Sequence, residues 1–174
     1  MQKKSKQHDF VSRTGTGMIV VAWIVFLVLL YTIFEEQLLQ RNNPNQNIVT
    51  TVNGLQKEVV LQRNVYGHYV TSGTINNHPV TFLLDTGATD VAIPESVAEK
   101  IGLQKGRTIT VKTANGTTRA YRTRLDHVAI GDIRLYDLNA TILTNITGHE
   151  VLLGMSFLKH FEIVQKGRSL TIRQ

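Results

Sequence analysis

The sequence predicts an all-β domain, a single closed barrel or sandwich with short helices, carried behind one N-terminal transmembrane helix. Three observations predict it. From about residue 57 onward the chain breaks into many short segments rich in β-branched and aromatic residues, separated by turn signals such as Asn76-Asn77, Asn115-Gly116 and Gly131-Asp132. Residues 18–34 form an unbroken run of 17 without a charged side chain, the lower limit for a helix that spans a bilayer. A length of 174 residues leaves room for one domain plus appendages.

The elements follow in chain order. Residues 1–17 are a basic tail, expected in the cytoplasm. Up to residue 34, Lys3, Lys4, Lys6 and Arg13 stand against Asp9 for a net +3, and the later fifteen cations and twelve carboxylates supply the other half of the formal +6. The domain itself is therefore only mildly basic, and without aromatic residues interleaved among its cations no nucleic-acid partner is expected. Cations before the apolar run and Glu35-Glu36 after it place the N-terminus in the cytoplasm and everything beyond residue 34 across the membrane. A cleaved signal peptide is the competing reading. The run exceeds the usual apolar core of such a peptide, and no small-residue cleavage site follows it. Residues 18–34 are thus read as a signal anchor, with the lipid bilayer as partner.

Residues 35–56 are rich in Asn, Gln and Thr, centred on Arg41-Asn42-Asn43-Pro44-Asn45-Gln46-Asn47. This composition predicts a flexible linker, with 35–40 prolonging the membrane helix by a turn or two. The domain, 57–174, starts with a strand over 58–61 and a hairpin of 68–75 and 80–84 joined at Asn76-Asn77, whose residues tolerate positive φ. Pro94 suits the start of a helix over 95–101 that Gly102 can end. Strands over 108–113 and 119–125 flank Asn115-Gly116, the strongest short hairpin signal in the chain. Strands over 128–130, 133–135, 138–143 and 151–153, a short helix over 156–160, and strands over 162–165 and 170–173 complete the chain.

The chemistry centres on Phe82-Leu83-Leu84-Asp85-Thr86-Gly87-Ala88-Thr89-Asp90. An apolar strand delivers Asp85 at its end, beside a core, where a carboxylate must be paired, hydrogen-bonded or used. Thr86 can hydrogen-bond locally or across an interface, Gly87 lets another backbone approach, and Ala88 keeps the turn narrow. Together they form a floor for an extended peptide. The chain has no cysteine, which excludes disulfides, thiolate catalysis and cysteine-ligated metals. His68, His78, His127, His149 and His160 never fall at H-x-x-x-H spacing, so neither a metal nor another cofactor is expected. Arg119, Arg122 and Arg124 are read as a solvated face.

Asp85-Thr86-Gly87-Ala88-Thr89, the later Leu152-Leu153-Gly154-Met155-Ser156-Phe157-Leu158 and the intervening Asn115-Gly116 hairpin resemble a retropepsin-like aspartic protease. They are most similar to the bacterial, membrane-anchored, single-lobe members, whose pattern also includes Gly67-His68-Tyr69 at a strand start. The resemblance covers roughly residues 57–174 and implies the retropepsin-like single-lobe barrel. It implies Asp85 as the catalytic residue, with Thr86, Gly87, Leu153 and Gly154 supporting the active site. It also implies substrate contacts from Gly87, Ala88, Thr89, Asp90, Ala114, Asn115, Gly116 and Leu152, with residues 114–116 in a flap that closes over substrate. Retroviral members pair an Asp four residues after the catalytic one with an Arg directly after the later glycine. Here those positions hold Thr89 and Met155, so both partners are missing together.

Peptide hydrolysis by this route needs two carboxylates facing one water, one accepting its proton while the other, protonated, donates to the scissile carbonyl. The shared-proton protease dyad is itself a standard example of coupled titration. The chain supplies one Asp-Thr-Gly, and a domain of this size is too small for two lobes. A homodimer with one Asp85 per chain is therefore expected, acting on polypeptide in a periplasm from a single-pass inner-membrane anchor. The rival expectation is a catalytically silent dimerisation or peptide-binding module on the same fold.

Overall fold

The computed structural model describes residues 5–54, 56–113, 116–144, 146 and 148–174, with the backbone alone for residues 5–16. The chain divides into two compact units, Met1–Leu39 and Gln40–Gln174.

The first unit is helical. Helix α1 runs Ser5–Asn42, and its Gly17–Asn42 stretch is long and apolar enough to cross a membrane. Val20, Leu27 and Phe34, like the other large apolar side chains of that stretch, are exposed. A helix apolar all round and unburied has the composition suited to lipid.

The second unit is built of β-strands in two sheets, as the sequence predicts. Strands β1 (Thr50–Asn53), β2 (Gln56–Gln62), β10 (Glu162–Lys166) and β11 (Ser169–Arg173) make a four-stranded antiparallel sheet in the order β1-β2-β11-β10. The larger sheet has seven strands: β3 (Val70–Ile75), β4 (His78–Leu84), β5 (Val91–Pro94), β6 (Thr108–Thr113), β7 (Gly116–Ile130), β8 (Ile133–Leu143) and β9 (Glu150–Leu153). Their order is β3-β4-β9-β5-β8-β7-β6, and β3 also pairs with β7 at Thr74↔Ala129 and Ile75↔Val128. That last pairing closes the sheet on itself, which is how a barrel removes its edges.

Two short helices, α2 (Glu95–Lys100) and α3 (Met155–Leu158), cap the barrel. Pro94 sits just before α2, and Gly102 just after it takes φ +71°. Phe82, Ile93, Leu125, Ile142, Leu153 and Phe157 are fully buried in one continuous core. Asn76 and Asn77 both take positive φ, at 49° and 67°, as the tight β3–β4 turn requires. Four predicted strands merge into two long ones: 119–125 with 128–130 into β7, and 133–135 with 138–143 into β8. The break expected before Leu138 is a local one, with Asp137 at φ 62° while the register continues through Leu125↔Leu138 and His127↔Tyr136.

Residues 35–56 depart from the expected flexible linker. Through Asn42 they continue α1; beyond it Asn45 is buried, Ile48 packs against the core and Thr50–Asn53 form β1, while most of the other described residues are exposed. Asn45 is 5 % exposed and pairs with Thr71 in an isolated parallel bridge. Its amide donates to the carbonyls of Gln62 (2.9 Å) and Val70 (2.6 Å), and its Oδ1 accepts the Gln62 N–H at 2.7 Å. Its own carbonyl accepts the Ser72 N–H at 3.1 Å. Asn64, also buried, donates to the Asn42 carbonyl at 3.0 Å. An asparagine side chain carries a donor and an acceptor like a peptide group, so the buried Asn45 amide helps to order a segment whose packed hydrocarbon is the partly buried Ile48.

Candidate active site

Strand β4 ends at Leu84, β5 begins at Val91, and residues 85–90 turn between them. Strand β9 threads between these two strands. It runs parallel to β4 from Thr81↔Glu150 to Leu84↔Leu153 and meets β5 at Ala92↔Leu152. The turn is thereby held from beneath by a segment some seventy residues later in the chain.

Asp85 is half-buried, and its neighbours Thr86 and Gly87 are exposed. The Asp85 N–H donates to the Leu153 carbonyl (3.2 Å), and its carbonyl accepts the Ala88 N–H (3.2 Å). Its Oδ1 accepts the Gly87 N–H at 2.8 Å. The carboxylate is oriented by its own turn at a partly exposed position. A Cβ at Gly87 would lie 3.1 Å from that same Oδ1, so glycine here leaves the carboxylate its place.

The later glycine acts by close approach. Gly154 is buried, and a Cβ there would lie 2.3 Å from the Asp90 carbonyl oxygen and 2.5 Å from that of Ala88. Only glycine lets the two backbones pack at that distance. Beyond it, the Met155 N–H donates to Ala88 and the Ser156 N–H to Thr89, both at 2.8 Å. The Ser156 hydroxyl accepts the Val91 N–H at 3.1 Å. Leu153 accepts the Asp85 N–H through its carbonyl, and its side chain lies wholly in the core. Val151 lies fully in the core, while Leu152, on the alternate face, is only partly buried.

Leu152 belongs to a second, smaller apolar cluster with Ala92, Ala120 and Leu143, bordered by Ile109, Val111 and Ile146. This cluster brings residues of the β6–β7 hairpin together with those flanking the Asp85 turn. Of the expected flap residues, Ala114 and Asn115 lie outside the described residues. Gly116, at φ +107°, pairs with Thr113 as the last described pair of the hairpin. Thr89 is exposed on the turn. Asp90, expected on the substrate side, has its carboxylate at 3.0 Å from Arg122 Nη1 and 3.5 Å from the Thr141 hydroxyl. Arg122 is therefore paired, and so is Arg124, with Asp137 on β8. The sequence reading missed Ser156 and Arg122. Ser156 carried a signal, a hydroxyl two residues past a close-approach glycine; Arg122 carried none, because its partner lies on another element.

A family model described as "gag-polyprotein putative aspartyl protease" matches residues 71–160, just over half the chain and the stretch from β3 through α3. This chain belongs to the retropepsin-like aspartic protease family. The matched stretch of this family member contains both the Asp85 turn and the Gly154 contact that holds it. An uncharacterized protein of a Sinorhizobium species is 34 % identical over 166 residues, spanning 88 % of this chain and 71 % of that protein. An uncharacterized protein of Rickettsia prowazekii is 33 % identical over 125 residues, 66 % of this chain and 50 % of that protein. Among solved structures, a retropepsin-like aspartic protease from Rickettsia conorii superimposes with a TM-score of 0.58 at 28 % identity, over 73 % of this chain and 95 % of that one. The protease fold of the family member is thus matched at the level of the whole lobe.

Proposed function

We propose that the protein is a membrane-anchored aspartic endopeptidase that assembles its water-activating dyad from the Asp85 residues of two identical chains. The observation that carries the reading is the Asp85 turn. One partly exposed carboxylate is held by the Gly87 N–H, on a turn hydrogen-bonded to Leu153, Met155 and Ser156 and packed against Gly154. The chain has no second Asp-Ser/Thr-Gly, so a second carboxylate must come from a second copy. Thr86, exposed beside Asp85, is suited to meet its symmetry mate beneath the dyad.

In this reading an extended polypeptide lies along Gly87, Ala88 and Thr89, beneath the hairpin that carries Ala114, Asn115 and Gly116. The partly buried Leu152, with Ala92 and the hairpin residues Ile109 and Val111, offers apolar surface to a substrate side chain. One carboxylate takes the proton of the attacking water while the other, protonated, donates to the scissile carbonyl. The dyad must hold one proton between its two groups, which gives a bell-shaped pH profile on the acidic side. Anchoring through residues 18–34, with the N-terminus cytoplasmic and the domain in the periplasm, confines both copies to one surface and raises their effective concentration.

The test uses the full-length protein in detergent beside Asp85→Asn, each incubated with a diverse peptide mixture from acidic to neutral pH. Mass spectrometry should find products from the first protein only, and sedimentation should find both dimeric. A dimer that retains an uncleaved peptide and yields no product at any pH would replace catalysis with peptide holding.

A further inference from the structure

The catalytic turn is secured on two sides by different means. On its inner side the ties are to one neighbouring segment: Leu153, Met155 and Ser156 hold residues 85, 88, 89 and 91 by backbone and hydroxyl hydrogen bonds, and Gly154 packs against the carbonyls of Ala88 and Asp90. On its outer side the Asp90 carboxylate reaches Arg122 and Thr141. Arg122 stands where the β6–β7 hairpin is rooted. Its carbonyl accepts the Gly106 N–H at 2.8 Å, and its N–H donates to the Arg107 carbonyl at 3.0 Å. A Cβ at Gly106 would lie 2.7 Å from the Arg122 carbonyl oxygen, so the strand leading into the hairpin is pressed against Arg122. Just before it, Lys105 is anchored to Glu95 at 2.7 Å and Glu99 at 3.0 Å. The root of the hairpin is thus fixed, and Arg122 carries that fixity to the turn.

We infer that Arg122, through its ion pair with Asp90, is a positioning residue that latches the catalytic turn to the root of the β6–β7 hairpin. This rests on the protease reading given above. Asp90 serves both ties: its carbonyl lies against Gly154 and its carboxylate against Arg122. The latch also stands in for the ion pair that Thr89 and Met155 cannot make. It differs in kind, joining the turn to the hairpin strand instead of to the segment after Gly154. A partly exposed pair, with side-chain exposures of 51 % for Arg122 and 24 % for Asp90, adds little to global stability. Its effect lies in where it holds the carboxylate, because catalysis is steeply sensitive to small misplacement.

The experiment compares full-length wild type with Arg122→Met and Arg122→Lys in detergent, at low and high salt. The latch predicts a fall in kcat of about tenfold for Arg122→Met with KM little changed, an unchanged melting temperature, and partial recovery in Arg122→Lys. It also predicts that added salt lowers wild-type kcat by screening the pair, while the Met variant loses this sensitivity. Kinetics and salt response equal to wild type would overturn the inference, as would a loss confined to KM or one that follows the melting temperature. Hydrogen exchange over residues 86–91 is read on the same samples and needs no turnover. Faster exchange in Arg122→Met supports the latch even if no substrate is cleaved by the wild type, the outcome that defeats the protease reading, and unchanged exchange overturns the latch whatever the activity.

Discussion

Residues 85–90 and residues 42–53 are both polar stretches joined to the same β-domain, and they are ordered in opposite ways. In the Asp85 turn the backbone is locked, while the Thr86 and Thr89 side chains stay exposed. Asp85, Ala88, Thr89 and Val91 all spend main-chain groups on the segment around Gly154, while Thr86 and Gly87 stay exposed. In the stretch after α1 the side chain is locked: Asn45 buries its amide among the main-chain groups of Gln62 and Val70. A buried amide with all its partners orders a chain as firmly as a hydrophobic contact does. A locked backbone with exposed residues suits the catalytic role proposed for this turn, in which its groups meet a substrate and a second copy.

The comparison breaks most readily at Gly154. Gly154→Ala places a methyl group against two carbonyl oxygens that have no room to retreat. Overpacking there should cost about 3 kcal/mol and lower activity by about 100-fold or more. Thermal unfolding and peptide turnover of the full-length variant measure both, and a variant with native turnover would show that the close contact is dispensable.

Next in size is Asn45→Ala, which leaves the Gln62 N–H without its Asn45 partner and removes the amide donors to the Gln62 carbonyl and the buried Val70 carbonyl. A loss of about 2–3 kcal/mol is expected, or roughly 8 °C in melting temperature for a chain of this size. Residues 43–53 should become accessible to protease while turnover at low temperature persists. Unchanged melting would mean that the stretch is held by β1 alone.

The smallest effect sets a baseline for exposed charge. The Arg124 guanidinium holds the Asp137 carboxyl below the usual carboxylate range. A depressed folded pKa contributes stability that is present above the unfolded pKa of about 3.9 and is lost as pH falls through the folded value. Asp137→Asn keeps a residue tolerant of the positive φ and should lower the melting temperature slightly at neutral pH, with the gap closing in acid. A gap that stays constant into strong acid would assign the difference to something other than this pair. Because Arg124 and Asp137 sit away from the turn, their loss should leave kcat unchanged, in contrast to Arg122.

The sequence by itself determined the features written in contiguous residues. The apolar run of α1, the β4 strand ending in Asp85, the Asn76-Asn77 turn, the β6–β7 hairpin and the close-approach glycine at 154 all follow from local pattern, because strand period, turn dihedrals and the steric needs of glycine are short-range properties. The family was legible as a resemblance, carried by the contiguous motifs Asp85-Thr86-Gly87-Ala88-Thr89 and Leu152-Leu153-Gly154-Met155-Ser156-Phe157-Leu158. Tertiary structure alone decided the partners. Val91 finds the Ser156 hydroxyl 65 residues away, Asp90 finds Arg122 32 residues away, and Asn45 finds Val70 25 residues away. Composition read residues 35–56 as a linker because it counts hydrocarbon, and Asn45 contributes none. A hydrogen bond between distant residues leaves no periodic trace in either stretch, so only the closing of the barrel, which sets which strands lie side by side, selects the acceptor each polar group will meet.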